Sequence, residues 1–438
     1  MQAQDNPIPE SLVTSRTTLA RLATGLLQGM VLYFLYHAAQ DASWPATSHL
    51  VFAPALLASL IVPVLLVSSL GHLDRKQAWI WMAAAAVVLA GLAVHDVWRG
   101  DTGVTRWFGR GTDHVRYPSP LLVMFSIVGF TIAHALVLAG ARDRRRIARY
   151  PTYFETAWKL LIQMKFSALF VGVLWLVLWL GAALFMLVKI DFLKDLLQKA
   201  WFAIPVTAFA FSCAIHITDV RPAIVRGIRT LLLVLLSWIL PIAALMVAAF
   251  LLSLPWTGLA PLWATKHATS VLLGAAAVLV ILINAAFQDG EMSAGVAMPV
   301  RMSARLAAVA LLPVVGIAVY SLGLRVGDYG WTTDRIIAAA CLVVASCYAL
   351  GYAWAACRRG EWLAPMATVN VATAFVVLGV LLALFSPAAD PARLSVNDQM
   401  ARLNEGRIAV DKFDFDYLKF EGARYGLAAL EELKNRSH

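Results

Sequence analysis

Amide and ionisable side chains set inside long apolar runs are where this sequence has chemistry to offer, because such groups are costly in hydrocarbon. Asn284, Gln288 and Asp289 close the apolar run 268–287. Asn284 and Gln288 are four residues apart and share a helix face, as the lining of a polar path or the holder of a cation requires. The plainer reading, which is preferred, has Asn284 hydrogen-bonded to a neighbouring helix and Asp289-Gly290 forming a C-terminal turn. His216 and Asp219 stand at i and i+3, the imidazole and carboxylate of a proton relay, and His134 and His37 lie in or near other apolar runs. Neutral imidazole costs little to bury and 216–219 lies close to the water boundary, so structural or interfacial roles are preferred for all three histidines. His95-Asp96 has the letters of a metal or catalytic pair, but adjacent residues leave a helix on different faces and do not ligate one ion.

The second reserve of chemistry is arginine. Arg99, Arg106, Arg110, Arg116, Arg325 and Arg335 fall between apolar runs on what charge counting makes the outer side, where they would attract an anionic substrate. In 329–335, Thr332 or Thr333 suits a helix N-cap and Asp334 suits a first turn. Arg335 does not suit a helix start, so it is expected to pair with Asp328, Asp334 or a tail residue such as Asp414 or Asp416. No G-x-S-x-G, HExxH or phosphate-binding glycine loop occurs. Cys213, Cys341, Cys347 and Cys357 show no ligand spacing. The sequence therefore offers no catalytic residue, no metal site and no cofactor site.

What positions these residues is helix. The chain is 61% hydrophobic and 14% charged, with a mean hydropathy of +0.73, which excludes a soluble globule. Apolar runs lie at 17–39, 50–70, 78–97, 120–141, 166–188, 201–218, 230–254, 268–287, 303–322, 336–356 and 365–385. Each is long enough to cross a hydrocarbon core of about 30 Å as a helix, the form that satisfies its own backbone in lipid. The run 201–218 is the shortest and carries Pro205. The expected fold is all-α, a polytopic transmembrane bundle of about eleven spans with a short helical extracytoplasmic C-terminal tail. Gly25 and Gly29, four apart in the first span, predict a close helix neighbour there.

The net charge of +10 has its densest block at 142–159, RDRRRIARYPTYFETAWK. With the N-terminus inside, Arg16, Arg21, this block and the charges at 75–76, 221–229, 301–305 and 358–359 face the cytoplasm, about 17 Lys/Arg against about 10 outside. Arg142, Arg144, Arg145, Arg146 and Arg149 then lie against the anionic headgroups of the cytoplasmic leaflet. Nucleic acid is excluded as a partner, since no basic stripe lies on a soluble domain. An odd number of spans puts 386–438 outside, in the periplasm of a Gram-negative-like cell. The chain thus divides into a four-helix part, 1–141, a basic loop with an interfacial helix, 142–165, a seven-helix part, 166–385, and the tail. In the tail, Ser395 reads as the N-cap of a helix ending at Gly406, and 413–433 as a second apolar pattern. About 50 residues make a poor independent core, so the tail is expected to pack on the outer loops or on a partner.

Several stretches carry a family resemblance: Tyr153-Phe-Glu-Thr-Ala-Trp158, Ile283-Asn-Ala-Ala-Phe-Gln-Asp-Gly290, and above all Asp328-Tyr-Gly-Trp-Thr-Thr-Asp-Arg335. The tail adds Asp390-Pro-Ala-Arg-Leu-Ser395, Phe413-Asp-Phe-Asp-Tyr-Leu418 and Gly422-Ala-Arg-Tyr-Gly426. Together they resemble the domain of unknown function 4153 family of bacterial polytopic inner-membrane proteins, from about residue 150 onward. The resemblance implies a topology and attaches no activity to it.

The reading taken forward is a non-enzymatic inner-membrane component of an envelope process or assembly, with a periplasmic protein partner docking through the tail. The alternative is a secondary transporter or flippase for an anionic or lipid-linked substrate. An intramembrane enzyme acting on lipid or glycan ranks last, because it lacks a carboxylate or histidine cluster.

Overall fold

The computed structural model describes residues 15–100, 115–265, 267–290, 296–358 and 363–436, and among them there is no strand. Arg106, Arg110, most of the stretch between Arg99 and Arg116, and Arg359 lie outside the described residues. Among the described residues eleven helices are long and apolar enough to cross a membrane, as the apolar runs predict, and this marks a multi-pass membrane protein. The chain forms two compact units, one of 1–149 with 155–229 and one of 150–154 with 230–438.

The first unit holds α1 (Ser15–Gln40), α2 (His49–Ser69), α3 (Arg75–Arg99), α4 (Pro120–Asp143), most of α5 (Tyr150–Leu187), the short α6 (Phe192–Leu197) and α7 (Ala200–Val220). Local chemistry sets the ends. Asp74 and Gln77 make a reciprocal capping box at the start of α3. Ser119 caps α4 ahead of Pro120 at its first position. The expected close neighbour of α1 is α7: a Cβ on Gly25 would lie 2.4 Å from Ser212 Cβ, and one on Gly29 would lie 2.4 Å from Pro205 Cα. Pro205 does not shorten α7. It stands in the second turn, where it forfeits a single backbone bond. The charged stretch 189–199 yields a helix of one and a half turns, α6.

The second unit holds most of α8 (Pro222–Thr257), the short α9 (Ala260–Ala264), α10 (Ala268–Phe287), α11 (Met298–Tyr329), α12 (Thr333–Cys357), α13 (Met366–Leu384) and the tail helices α14 (Pro391–Asn404), α15 (Phe415–Phe420) and α16 (Ala423–Arg436). Ala276, Ala304, Ala307, Ala308, Ala318, Ala349 and Ala355 are buried alongside Leu279, Ile283, Leu311 and Tyr352. Small residues let helix backbones approach where lipid supplies no hydrophobic drive.

The tail is ordered differently from its expected caps. Asp390, not Ser395, caps α14, accepting from Ala392 N–H at 2.9 Å with Pro391 at the first helical position. Ser395 lies inside the helix, and its Oγ is held by Ala392 O and Tyr417 Oη. The pattern 413–433 splits into α15 and α16, which pack so closely that a Cβ on Gly426 would lie 1.9 Å from Leu418 O. Val396, Met400, Phe413, Leu418 and Ala429 form a small core of the tail's own.

Candidate functional site

The most charged interior point of the first unit is one carboxylate. The last turn of α7 carries Asp219 and the second turn of α1 carries Arg21, and Arg21 Nη2 donates to Asp219 Oδ2 at 2.5 Å and to Leu70 O at 2.5 Å. Their side chains are 1% and 6% exposed. His72, in the turn after α2, has Nε2 3.0 Å from Asp219 Oδ1. Lys159 Nζ of α5 lies 2.5 Å from the same oxygen and 3.1 Å from His72 Nε2. Gln163 adds a longer contact at 3.4 Å. A single His72 Nε2 either donates to Asp219 or accepts from Lys159, so the two contacts alternate. Three helices, α1, α5 and α7, and a turn are thereby tied to one acceptor.

His216 does not reach Asp219 directly. Its Nδ1 is 3.4 Å from Arg21 Nη1, so the guanidinium stands between the two residues of the expected relay. Arginine stays protonated in proteins, and a proton does not pass through it. Arg21, which sequence reasoning counted among the cytoplasmic charges, is the residue it missed; its signal was a lone arginine inside an apolar run.

His134 is buried and its tautomer follows from its partners. Trp81 Nε1–H is a donor only and lies 3.0 Å from His134 Nδ1, so the ring proton sits on Nε2. Nε2–H then donates to Ser68 Oγ at 2.5 Å, and Ser68 Oγ–H donates to Leu65 O. The ring is neutral and satisfied, as a core histidine is. A cavity of about 30 Å³ between His134, Ser68, Thr131 and Gln163 has room for a water or two. His37 pairs with Asp41 at 2.8 Å. His95 and Asp96 serve different neighbours, as expected of adjacent helix positions: His95 stacks on Trp98, while Asp96 binds Arg99 at 2.7 Å and accepts from Ser119 N–H and Oγ–H.

In the second unit Asn284 joins a closed ring of neutral hydrogen bonds. Its Nδ2 donates to Tyr352 Oη and to Val280 O, and its Oδ1 accepts from Asn370 Nδ2 at 2.7 Å. Tyr352 Oη–H donates to Asn370 Oδ1, and Asn370 Nδ2 also donates to Tyr150 Oη. Both amides have each N–H and one carbonyl lone pair engaged, which leaves no converging oxygens for a cation. Gln288 is not part of the ring. It ends α10 with a φ of 53°, and its N–H bonds Asn284 O; Asp289 follows in the turn closed by Gly290 N–H on Phe287 O. Tyr352→Phe leaves the half-buried Asn370 Oδ1 without its donor. It should cost about 1–3 kcal/mol, read as a lower melting temperature of the detergent-solubilised chain. A variant that melts with the parent would show the ring to be idle.

The corner between α11 and α12 is where the tail docks. Asp398 Oδ2 accepts from Trp331 N–H at 2.8 Å, and Tyr417 Oη accepts from Thr333 N–H at 3.0 Å. Gln399 Nε2 donates to Tyr329 O and Trp331 O. Arg402 donates to Val326 O, Gly327 O and Asp328 O, covering the negative end of α11. Thr332 caps α12 as expected. Arg335 does not make the expected ion pair with Asp328, Asp334, Asp414 or Asp416. Its Nη1 donates to Gly330 O and its guanidinium lies over the Tyr329 ring, contacts that hold it without a carboxylate. Arg325 donates to Thr265 O at 2.7 Å. Arg142, Arg144, Arg145, Arg146 and Arg149 are all exposed, with Arg142 2.9 Å from Glu155.

No curated protein and no solved structure matches the chain. The sequence does match the family described as Domain of unknown function (DUF4153) over residues 29–433, which takes in the first spans as well as the stretch from 150 onward, and the chain belongs to that family.

Proposed function

We propose that this membrane protein is a non-enzymatic component of an envelope process or assembly, seated in a bacterial inner membrane, with the docked C-terminal tail as its interaction face. The observation that carries this reading is the tail itself. Four of its side chains, Asp398, Gln399, Arg402 and Tyr417, bond the backbone of the α11–α12 corner, so α14–α16 form a built platform at the end of two spans. The closed amide ring and the satisfied His134 also support a scaffold over a carrier, since neither presents a free group to a moving solute. Charge supports N-terminus cytoplasmic and C-terminus periplasmic, with the five exposed arginines of 142–149 against anionic headgroups and a periplasmic protein on the tail.

Two experiments test the reading. Alkaline phosphatase fused after residue 436 should be active, whereas green fluorescent protein fused there should stay dark; the reverse result overturns the threading. Native purification should yield a stoichiometric protein partner with the full chain and lose it from an Asp398→Asn, Tyr417→Phe chain whose spans remain folded. A chain that purifies alone in both forms but moves an anionic solute across vesicles would establish the transporter reading instead.

A further inference from the structure

We propose that the tail has a membrane face: α14 and α15 lie along the leaflet at the ends of α11 and α13, with Leu394 and Phe420 set into its headgroup layer. The inference goes beyond the scaffold reading and needs no protein partner on the tail.

Both ends of α14 are fixed to the ends of spans. At its start, Ala389 N–H bonds Ala383 O at 3.0 Å, which folds the link from α13 back onto that span, and Asp390 caps α14 in the next position. Near its other end, Arg402 bonds the carbonyls of 326–328 at the close of α11. Asp398 and Gln399, between these points, bond the backbone at 329 and 331. The helices α11, α12 and α13 are all long and apolar enough to span. A helix of 14 residues, about 21 Å long, that rests on span ends at both extremities lies along the membrane surface.

Apolar side chains beside the docking residues are turned toward that surface. Leu394 stands one turn before Asp398 and shares its face, and Phe420 stands three residues after Tyr417, whose hydroxyl reaches Thr333 at the start of α12. The protein leaves both uncovered, Leu394 38% exposed and Phe420 68% exposed. Arg393 precedes the one and Lys419 the other, and Lys419 Nζ lies 5.0 Å from the Phe420 ring centroid. An apolar side chain with a cation beside it suits an interfacial helix, whose apolar face sinks about 5–10 Å while the charge stays at the phosphates. Asp416, four residues before Phe420, shares its face and keeps the insertion of α15 shallow. The occupant is lipid because this side of the tail faces the ends of spans that lipid must surround; a soluble protein reaches the opposite side.

The test places the photoreactive residue p-benzoylphenylalanine at position 394, 420 or 431 of the full chain, purified and reconstituted in vesicles of phosphatidylethanolamine and phosphatidylglycerol. Glu431, exposed on α16, is the control position. Irradiation should couple phospholipid to positions 394 and 420 at about ten times the yield at 431, read by mass spectrometry of the tail peptides. The vesicles hold no other protein, so a failure here leaves the scaffold reading as it was. Absence of lipid adducts at 420, or the same yield at all three positions, would overturn the proposal. If the substitution at 394 undocks the tail, seen as faster protease cleavage within 391–436, position 420 decides alone, since among the described residues the Phe420 side chain makes no bond to the corner.

Discussion

Asp219→Asn should destabilise the first unit by about 3–5 kcal/mol and lower its apparent melting temperature in detergent by roughly 10 °C. The side chain keeps its shape, so the loss is of charge. Arg21 is 1% exposed and has Asp219 as its ion-pair partner; an uncompensated buried guanidinium is what breaking such a pair leaves behind. His72 and Lys159 contribute less to the penalty, because about a third of each side chain reaches solvent. The matched control is Arg21→Met with Asp219→Leu. Removing both charges should recover most of the loss, since an apolar pair of similar volume often equals a buried ion pair. An Asp219→Asn chain that melts with the parent, or a double variant worse than the single, would show that the carboxylate does not act as the common acceptor.

Gly330→Ala should release the tail. Gly330 has φ 74° and ψ −177°, a region open essentially to glycine alone, and an alanine there costs about 1–3 kcal/mol in backbone strain. The added Cβ would also stand 2.6 Å from Asp398 Oδ2, 2.8 Å from Arg402 Cδ and 2.8 Å from Gln399 Nε2, three of the side chains that dock α14. Both effects weaken the same contact. Protease cleavage within 391–436 should therefore rise about 10- to 100-fold, following the population of the undocked form. Gly327→Ala is the control, because a Cβ there meets nothing within 4 Å and should leave the cleavage rate as it was. Equal protection of the Gly330→Ala tail would mean that the corner does not hold it.

The spans were legible because membrane burial is a local property: a run of some twenty apolar residues suffices, and each expected run is a helix in the structure. Gly25 and Gly29 were legible for the same reason, their spacing alone implying a close neighbour. The sites were legible only by halves. Asn284 stood out as an amide in an apolar run, but its partners Tyr352 and Asn370, and Tyr150 bonded to Asn370, come from three other helices, and Asn370 and Tyr150 are 220 residues apart. Asp219 stood out, while Arg21, 198 residues away, was read as a solvated topological charge. The Arg335 pairing failed because carboxylates were the only acceptors considered; the carbonyl of Gly330 and the face of Tyr329 were nearer. The misplaced tail cap had a readable signal, Asp390 followed by Pro391 at the helix start, outweighed by a serine farther along.

The docking of α14 also fixes an order of events in the life of the chain. Trp331 and Thr333 meet their acceptors 67 and 84 residues later in the sequence, so during synthesis both spans flanking the corner are finished well before it is closed. Until Arg402 arrives, the carbonyls at the end of α11 lack that donor. Closure of the corner thus marks a chain whose eleven spans among the described residues have already been made.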